Sequence, residues 1–210
     1  MKVRSTNIAR PTRIQWNGKT ETTGIYKYPV DGPITLESEA VAKDIVADRR
    51  VHGGIHKACY LYSSGHYPYW KSLYPGLEWD WGMFGENLTV DGMDERHIRI
   101  GDIFRVGEAL VQVSMPREPC YKLGIRFGDQ QILKAFIAYG YPGTYVRVLE
   151  EGGVKAGDSL VLLEESPNPL TVHQCFELYY ARIKSREVLT LALDNPALPE
   201  YKREALQKYT

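Results

Sequence analysis

The sequence predicts a mainly β fold, a barrel or a sandwich, followed by a small unit of three helices. Residues 1–165 contain many short β-rich runs separated by glycine turns. Such runs at spacings of about 8–12 residues are typical of barrels and sandwiches. After "ESPNPL" (residues 165–170) the pattern changes to helical periodicity. We therefore divide the chain into residues 1–168 and residues 169–210.

Turn signals separate the expected strands. Asn17-Gly18 lies between two alternating segments, the pattern of a two-residue type I′ hairpin. Residues 57–63, "KACYLYS", form one short β-rich run. The glycines of "HIRIGDIFRVGEALVQVSM" (97–115) divide it into about three strands. Residues 144–165 predict a strand, a glycine turn and another strand.

Two helices are predicted within the β-rich part. Residues 66–74, "HYPYWKSLY", form a short aromatic-rich helix. Residues 128–140, "GDQQILKAFIAYG", place four apolar side chains on one side, and Gly140 ends the helix.

The tail from residue 169 shows three helix starts. Thr171 and Gln174 form a capping-box pattern, Ser185 caps a second helix, and Pro199 suits the first turn of a third. A unit this small rarely stabilises itself, so we expect it to pack on the β domain or on a second copy, which allows a homodimer. The first helix should bury one apolar face, made of Val172, Cys175, Phe176, Tyr179 and Ile183.

Composition excludes several classes of protein. Lys plus Arg and Asp plus Glu are both 26, so no basic excess points to nucleic acid. No apolar run is long enough for a membrane span, and the N-terminus resembles no signal peptide. The three widely spaced cysteines do not predict a disulfide framework. We expect a cytoplasmic protein with an ordinary packed core.

The segment "SMPREPCYKL" (114–123) holds Cys120 in a stiff frame. Its two prolines restrict the backbone and give the thiol a fixed direction. Arg117 and Lys122 are close enough in sequence to favour the thiolate. The segment suits a metal ligand or a nucleophile, although it could also simply end a strand.

The densest cluster of cations surrounds a Gly-Gly pair. Gly53 and Gly54 would let the backbone approach an anion such as phosphate, and the alternative is a turn with solvated charges. A zinc pair of His52 and His56 is disfavoured because the glycines between them break a helix. The cations of the cluster are Arg49, Arg50, His52, His56 and Lys57.

Two further places carry polar side chains with two interpretations. Glu86 and Asn87 follow a Gly-x-x-Gly turn, and turn chemistry explains them better than ligand binding. Arg147 lies on the opposite strand face from Val146 and Val148, where it is either solvent-exposed or a second cation of a site.

Four motifs, in this order, together resemble the MOSC family, whose domains are named after the C-terminal part of molybdenum-cofactor sulfurase. The resemblance covers about residues 35–165 and is closest to the YiiM-like branch, which adds a three-helix C-terminal domain, here residues 170–210. The motifs are "VHGGIHKACYLYS", "FGENLTVDGM", "IGDIFRVGEALVQVSMPREPCYKL" and "GTYVRVLEEGGVKAGDSLVLL".

The resemblance implies a closed β-barrel that binds molybdenum cofactor, a phosphorylated pterin whose dithiolene holds molybdenum. Cys120 matches the cysteine that ligates the metal in catalytic members. Arg117 and Arg147 would complete the anion site, and Glu86 and Asn87 would lie near the pterin or the metal. The phosphate or the polar pterin edge would be held by Arg50, His52, His56 and Lys57.

The implied reaction is reduction of N-hydroxylated bases, hydroxylamines and amidoximes. Electrons would come from a separate flavin or iron–sulfur reductase, because the sequence has neither an iron–sulfur cysteine pattern nor a dinucleotide fingerprint. Two alternatives stay open. One is a non-redox cofactor-binding or sulfur-carrier module with a Cys120 persulfide. The other is a hydrolase or transferase with Cys120 as nucleophile and His52 or His56 as base.

Overall fold

The computed structural model describes residues 1–45 and 53–210. Short 3₁₀ helices lie at Ile55–Lys57 and Ser64–His66. The strands are Lys2–Ala9 (β1), Thr12–Trp16 (β2), Lys19–Thr23 (β3), Lys27–Pro29 (β4), Ile34–Leu36 (β5), Cys59–Ser63 (β6), Leu88–Asp91 (β7), Ile103–Val106 (β8), Ala109–Pro116 (β9), Thr144–Glu150 (β10), Gly152–Val154 (β11) and Leu160–Glu164 (β12). The α-helices are Tyr67–Leu73 (α1), Tyr121–Phe127 (α2), Ile132–Tyr139 (α3), Val172–Tyr180 (α4), Arg186–Leu193 (α5) and Glu200–Gln207 (α6).

The largest sheet has eight strands in the order β12-β8-β9-β10-β6-β7-β1-β4. Its neighbouring strands run antiparallel except β6 and β7, which are parallel. Strands β5 and β11 form one two-stranded sheet, and β2 and β3 form another. The predicted hairpin is confirmed: Asn17 and Gly18 have φ of 47° and 74°, as a type I′ turn requires.

The prediction of a closed barrel is wrong. The eight-stranded sheet ends in β12 on one side and in β4 on the other. The start of β1 approaches the start of β12, where Val3 N donates to Asp158 O at 2.8 Å. The strand contact there is an isolated bridge between Lys2 and Ser159, not a ladder. Closure needs a continuous ladder between the first and last strands, and residues 1–45 and 53–210 form none there.

Residues 97–115 form two strands, β8 and β9, instead of about three. The carboxylate of Asp102 accepts hydrogen bonds from the backbone nitrogens of Arg99 and Ser166, both at 2.8 Å. The buried carboxylate of Asp102 thus accepts from backbone N–H groups that would otherwise need a neighbouring strand as acceptor. The chain therefore turns before β8 and does not form a third strand.

Helix α3 was predicted, but α2 was not. Gly140 ends α3 in the left-handed conformation with φ of 79°, and Ile132 and Phe136 are buried one turn apart. Helix α2 begins directly after Cys120 and contains Gly124, which lowers its helix propensity. Its sequence has no capping residue to mark its start.

The hydrophobic core has two parts. One part lies between the large sheet and the C-terminal helices. The other is aromatic and contains Trp70, Phe84 and Phe136. The indole nitrogen of Trp70 donates to the hydroxyl of Tyr62 at 2.8 Å, which satisfies both polar atoms inside the aromatic cluster.

The three predicted C-terminal helices are present and pack on the sheet. Val172, Cys175 and Leu178 of α4 belong to the same core cluster as the strands. The placement of Ile183 on this face is wrong, because α4 ends at Tyr180 and Ile183 is 90% exposed. No helix among residues 1–45 and 53–210 is long and apolar enough to cross a membrane.

Replacing Thr171 with alanine should destabilise the protein through α4. The hydroxyl of Thr171 accepts from Gln174 N, and Thr171 N donates to the Gln174 side chain, both at 3.1 Å. Loss of such a cap costs about 1 kcal/mol, which lowers Tm by about 2–4 °C in a chain of this size. Thermal unfolding measures the change. Thr190→Ala, at an exposed position inside α5, is the matched control, and equal Tm values for both variants would contradict the capping role.

Candidate functional site

A cavity lies beside Cys120. Its walls come from the turn after β3, the end of the first 3₁₀ helix, the loop before β7, the segment between β9 and α2, and β10. Tyr60 and Phe84 line it and also belong to the aromatic core, so one wall of the cavity is rigid.

Of the three cysteines, Cys120 is the accessible one. Its thiol is free and partly exposed, and its backbone is extended. Cys59 and Cys175 are fully buried. Burial raises the pKa of the Cys59 thiol far above its usual range and that of Cys175 to about 12, so both behave as small apolar side chains.

The hairpin β2–β3 holds the residue after Cys120. The ring of Tyr121 stacks on Trp16 with centroids 4.9 Å apart, and its hydroxyl donates to Glu21 Oε2 at 2.6 Å. Gln130 donates to the Tyr121 carbonyl at 3.0 Å from the other side. These contacts hold Tyr121, and with it the backbone that follows Cys120, in place at the cavity wall.

Arg117 is a buried cation that faces the same cavity. Its side chain is 4% exposed, and the guanidinium carbon lies 5.5 Å from the Tyr60 ring centroid and 5.3 Å from that of Phe136. In the part of the chain that the structure describes, its Nη1 atom has no hydrogen-bond partner. A buried donor without a partner requires a physical explanation, and a polar ligand in the cavity provides one.

Among the residues that the structure describes around the cavity, cations outnumber carboxylates. Asp44 contacts Lys27 and accepts from Asn87 Nδ2 at 2.8 Å. Burial, followed by the charge of Lys202, lowers the pKa of Lys57. The excess positive charge favours an anionic ligand. Among the described residues, the lining cations are Lys27, Lys57, Arg117 and Lys122, and the lining carboxylates are Asp44 and Glu118.

The structure brings together four of the residues predicted from the sequence. Cys120, Lys57, Asn87 and Arg117 all line the cavity. Arg50 and His52 lie outside the described residues. Among the described residues, the other predicted members of the site do not line the cavity: Gly53, Gly54, His56, Glu86 and Arg147.

His56 and Arg147 form a separate contact with the tail. Arg147 Nη2 lies 3.0 Å from His56 Nδ1 and donates to the Ala197 carbonyl at 2.5 Å. Burial, then the charges of Arg147 and Lys57, lower the pKa of His56, so its ring favours the neutral form. Arg147 is therefore neither solvent-exposed nor part of the cavity wall; it joins β10 to the C-terminal helices.

Glu86 is buried behind the cavity wall. Its carboxylate accepts from Tyr67 Oη, from Thr89 Oγ1 at 2.8 Å, and from the backbone nitrogens of Gly82 and Phe84 at 3.0 and 3.1 Å. Burial raises the pKa of this carboxyl, and these hydrogen bonds oppose the rise. These four hydrogen bonds indicate that Glu86 holds the loop before β7 in its conformation.

Sequence reasoning missed Lys27 and Asp44. Both side chains are buried at the cavity, and they come from segments with no motif around them. A lysine within "YKYP" carries no local sign of burial. Only a long-range contact brings the two charges together. Across residues 1–45 and 53–210 no group of three His, Cys, Asp or Glu side chains could hold a metal ion.

Comparison with known proteins identifies the family. The sequence profile of the MOSC domain matches residues 48–161. The chain belongs to the MOSC domain family. This MOSC protein is 38% identical to YflK of Bacillus subtilis (strain 168) over 206 residues, which cover 98% of the chain and 93% of the relative. It is also 38% identical to protein YiiM of Escherichia coli (strain K12) over 153 residues, 72% of the chain and 68% of the relative.

Solved structures agree with the family assignment. The crystal structure of YiiM from Geobacillus stearothermophilus superposes on this MOSC protein with a TM-score of 0.82 at 33% identity, covering 99% of this chain and 98% of that one. YiiM from Escherichia coli gives a TM-score of 0.77 at 29% identity, covering 99% and 92%. The resemblance predicted from the four motifs is confirmed.

One relative has a functional name. A protein of Gibberella moniliformis (strain M3125 / FGSC 7600) named "Reductase" is 39% identical over 146 residues, which cover 68% of this MOSC protein but 26% of that relative. The chain thus corresponds to about a quarter of that longer protein.

Proposed function

We propose that this MOSC protein is an oxidoreductase that binds molybdenum cofactor and reduces N-hydroxylated compounds. The observation that carries the proposal is the accessible thiol of Cys120 in a cavity with the unpartnered Nη1 atom of buried Arg117. The MOSC family and the relative named "Reductase" support the same class of activity.

The cavity residues fit this cofactor. A thiolate is the ligand that a thiophilic metal prefers, and Cys120 would be that ligand. Lys57, Lys122 and Arg117 would hold the anionic part, because buried or partly buried cations compensate phosphate charge. Asn87 would present its side chain to the pterin edge. Arg50, His52, His56 and Arg147 stay predictions as further contacts.

The chain's own residues would position the reaction. Contacts of Tyr121 with Trp16 and Glu21 fix the Cys120 backbone, and the aromatic wall keeps the cavity rigid. When bound, the cofactor supplies a metal centre that exchanges two electrons with the substrate. Reduction of an N-hydroxyl group consumes two electrons and two protons and releases the amine and water. The electrons would come from a separate flavin or iron–sulfur reductase.

The structure disfavours His56 as the base of the cysteine–histidine hydrolase, while His52, the other candidate base, lies outside the described residues. His56 does not line the Cys120 cavity, and its Nδ1 atom faces Arg147. The sulfur-carrier alternative uses the same accessible thiol and is therefore distinguished by experiment.

The test is metal and pterin analysis of protein made in a host that synthesises the cofactor. We expect about one molybdenum and one pterin per chain. We also expect turnover of a benzamidoxime with reduced viologen dye as artificial donor. A Cys120 persulfide without molybdenum would instead support the carrier. Folded protein with neither pterin nor molybdenum would refute the proposal.

A further inference from the structure

The C-terminal helix α6 reaches the candidate site. Lys202 on this helix forms an ion pair with Glu118, which lines the cavity two residues before Cys120. The hydroxyl of Tyr201 donates to the Met115 sulfur at 3.3 Å. Two successive residues of the tail therefore contact the segment that carries Cys120.

Lys202 is held in place more firmly than an ordinary surface lysine. Its ammonium lies 4.8 Å from the ring centroid of Tyr179 and 5.8 Å from that of Tyr201. Its side chain is 17% exposed, against 38% for Glu118. Aromatic faces attract a cation, so the ammonium has a defined position beside the carboxylate.

This ion pair alters the charge that an entering ligand meets. Asp44, a second carboxylate among the described residues of the wall, already contacts Lys27. Glu118 would add a negative charge near Cys120, and Lys202, which does not line the cavity, offsets that charge. Burial is the main cause that lowers the pKa of Lys57, and the nearby charge of Lys202 is the second.

We propose that Lys202 determines the charge of the ligands that the cavity accepts. By compensating Glu118 from the three-helix tail, it keeps the cavity wall beside Cys120 positive and favours an anionic ligand, which in the proposed function is the phosphorylated cofactor and not the N-hydroxylated substrate. This inference rests on the proposed function in one respect: it takes Cys120 as the reactive end of the cavity. The tail thereby acts in ligand selection and is not merely an appended unit.

The test compares two thiol reagents on apoprotein. Iodoacetate is anionic, iodoacetamide is neutral, and both react with the thiolate, so the ratio of their rates at Cys120 reports the local potential. Mass spectrometry of the Cys120 peptide measures both rates. The buried Cys59 and Cys175 serve as internal controls, since they react only in unfolded protein.

Lys202→Met should lower the iodoacetate-to-iodoacetamide ratio about three- to tenfold, the effect of one charge at short range near a protein surface. Lys202→Arg should keep the ratio, because it keeps the charge. Glu118→Gln alone should raise the ratio, and Glu118→Gln combined with Lys202→Met should restore it. Lys208→Met, at an exposed position directly after α6, is the matched control and should leave the ratio unchanged.

An unchanged ratio in folded Lys202→Met, or a decrease that Glu118→Gln does not restore, would overturn the inference. Should Lys202→Met fail to fold, an unchanged ratio in Glu118→Gln would overturn it as well. Because the assay needs no cofactor, each of the two proposals can be refuted without the other.

Protein without molybdenum but with the expected ratios would refute the proposed function alone. Protein with molybdenum but unchanged ratios would refute this inference alone.

Discussion

Replacing Cys120 with serine is expected to reduce bound molybdenum at least about tenfold, because even partners behind the metal ligands change metal affinity by that much. A serine hydroxyl is a harder and less acidic ligand than a thiol, so it does not replace a thiolate on a thiophilic metal. Plasma mass spectrometry on protein from the cofactor-producing host measures the loss.

The same variant should separate metal from pterin. Arg117, Lys57 and Lys122 remain in place, so the anionic part of the cofactor keeps its contacts and pterin should fall less than molybdenum. The matched control is Cys175→Ala, which removes a thiol from the core and not from the cavity. Full molybdenum in Cys120→Ser protein would show that this residue is not the metal ligand.

Replacing Glu86 with alanine should destabilise the protein more than replacing Thr171 does. Four donors would lose their acceptor, among them the hydroxyls of Tyr67 and Thr89. Each buried donor left unsatisfied costs about 1–3 kcal/mol, and partial relaxation leaves an expected total of about 3 kcal/mol or more. Tm should fall by about 6–12 °C, measured by thermal unfolding.

Two variants sharpen this second prediction. Glu86→Gln keeps the three hydrogen bonds that end on Oε1, and only the Phe84 N–H loses its acceptor. It should therefore lose less than half of the stability that Glu86→Ala loses. Glu204→Ala, at an exposed position of α6, should leave Tm nearly unchanged. A Glu86→Ala variant that melts like the wild type but loses pterin would instead place Glu86 in the cofactor site.

Local patterns predicted the elements whose causes lie within a few residues. The Asn17-Gly18 turn, the Gly140 helix end and the Thr171 capping box each depend on backbone geometry at one position, and each is present. The sequence does not predict helix α2, because the start of this helix has no capping side chain and its middle contains Gly124. The sequence also does not predict that α4 ends before Ile183, because periodicity alone does not mark where a helix ends.

The amino-acid pattern alone predicts the family, the mainly β character with three terminal helices, and Cys120 as the residue of interest. Ordered motifs and two nearby prolines are enough for these conclusions. That the large sheet stays open follows from the three-dimensional arrangement, since closure depends on pairing between β12 and the first strands. The same holds for the charges at the cavity.

Lys27 and Asp44 meet although 17 positions separate them in sequence, and Lys202 on the C-terminal helix α6 reaches Glu118. Conversely, Glu86 lies next to Asn87 in sequence but faces the interior, because successive residues near a strand point to opposite sides. Electrostatic contacts depend on distance in space, and neither sequence separation nor residue type specifies that distance.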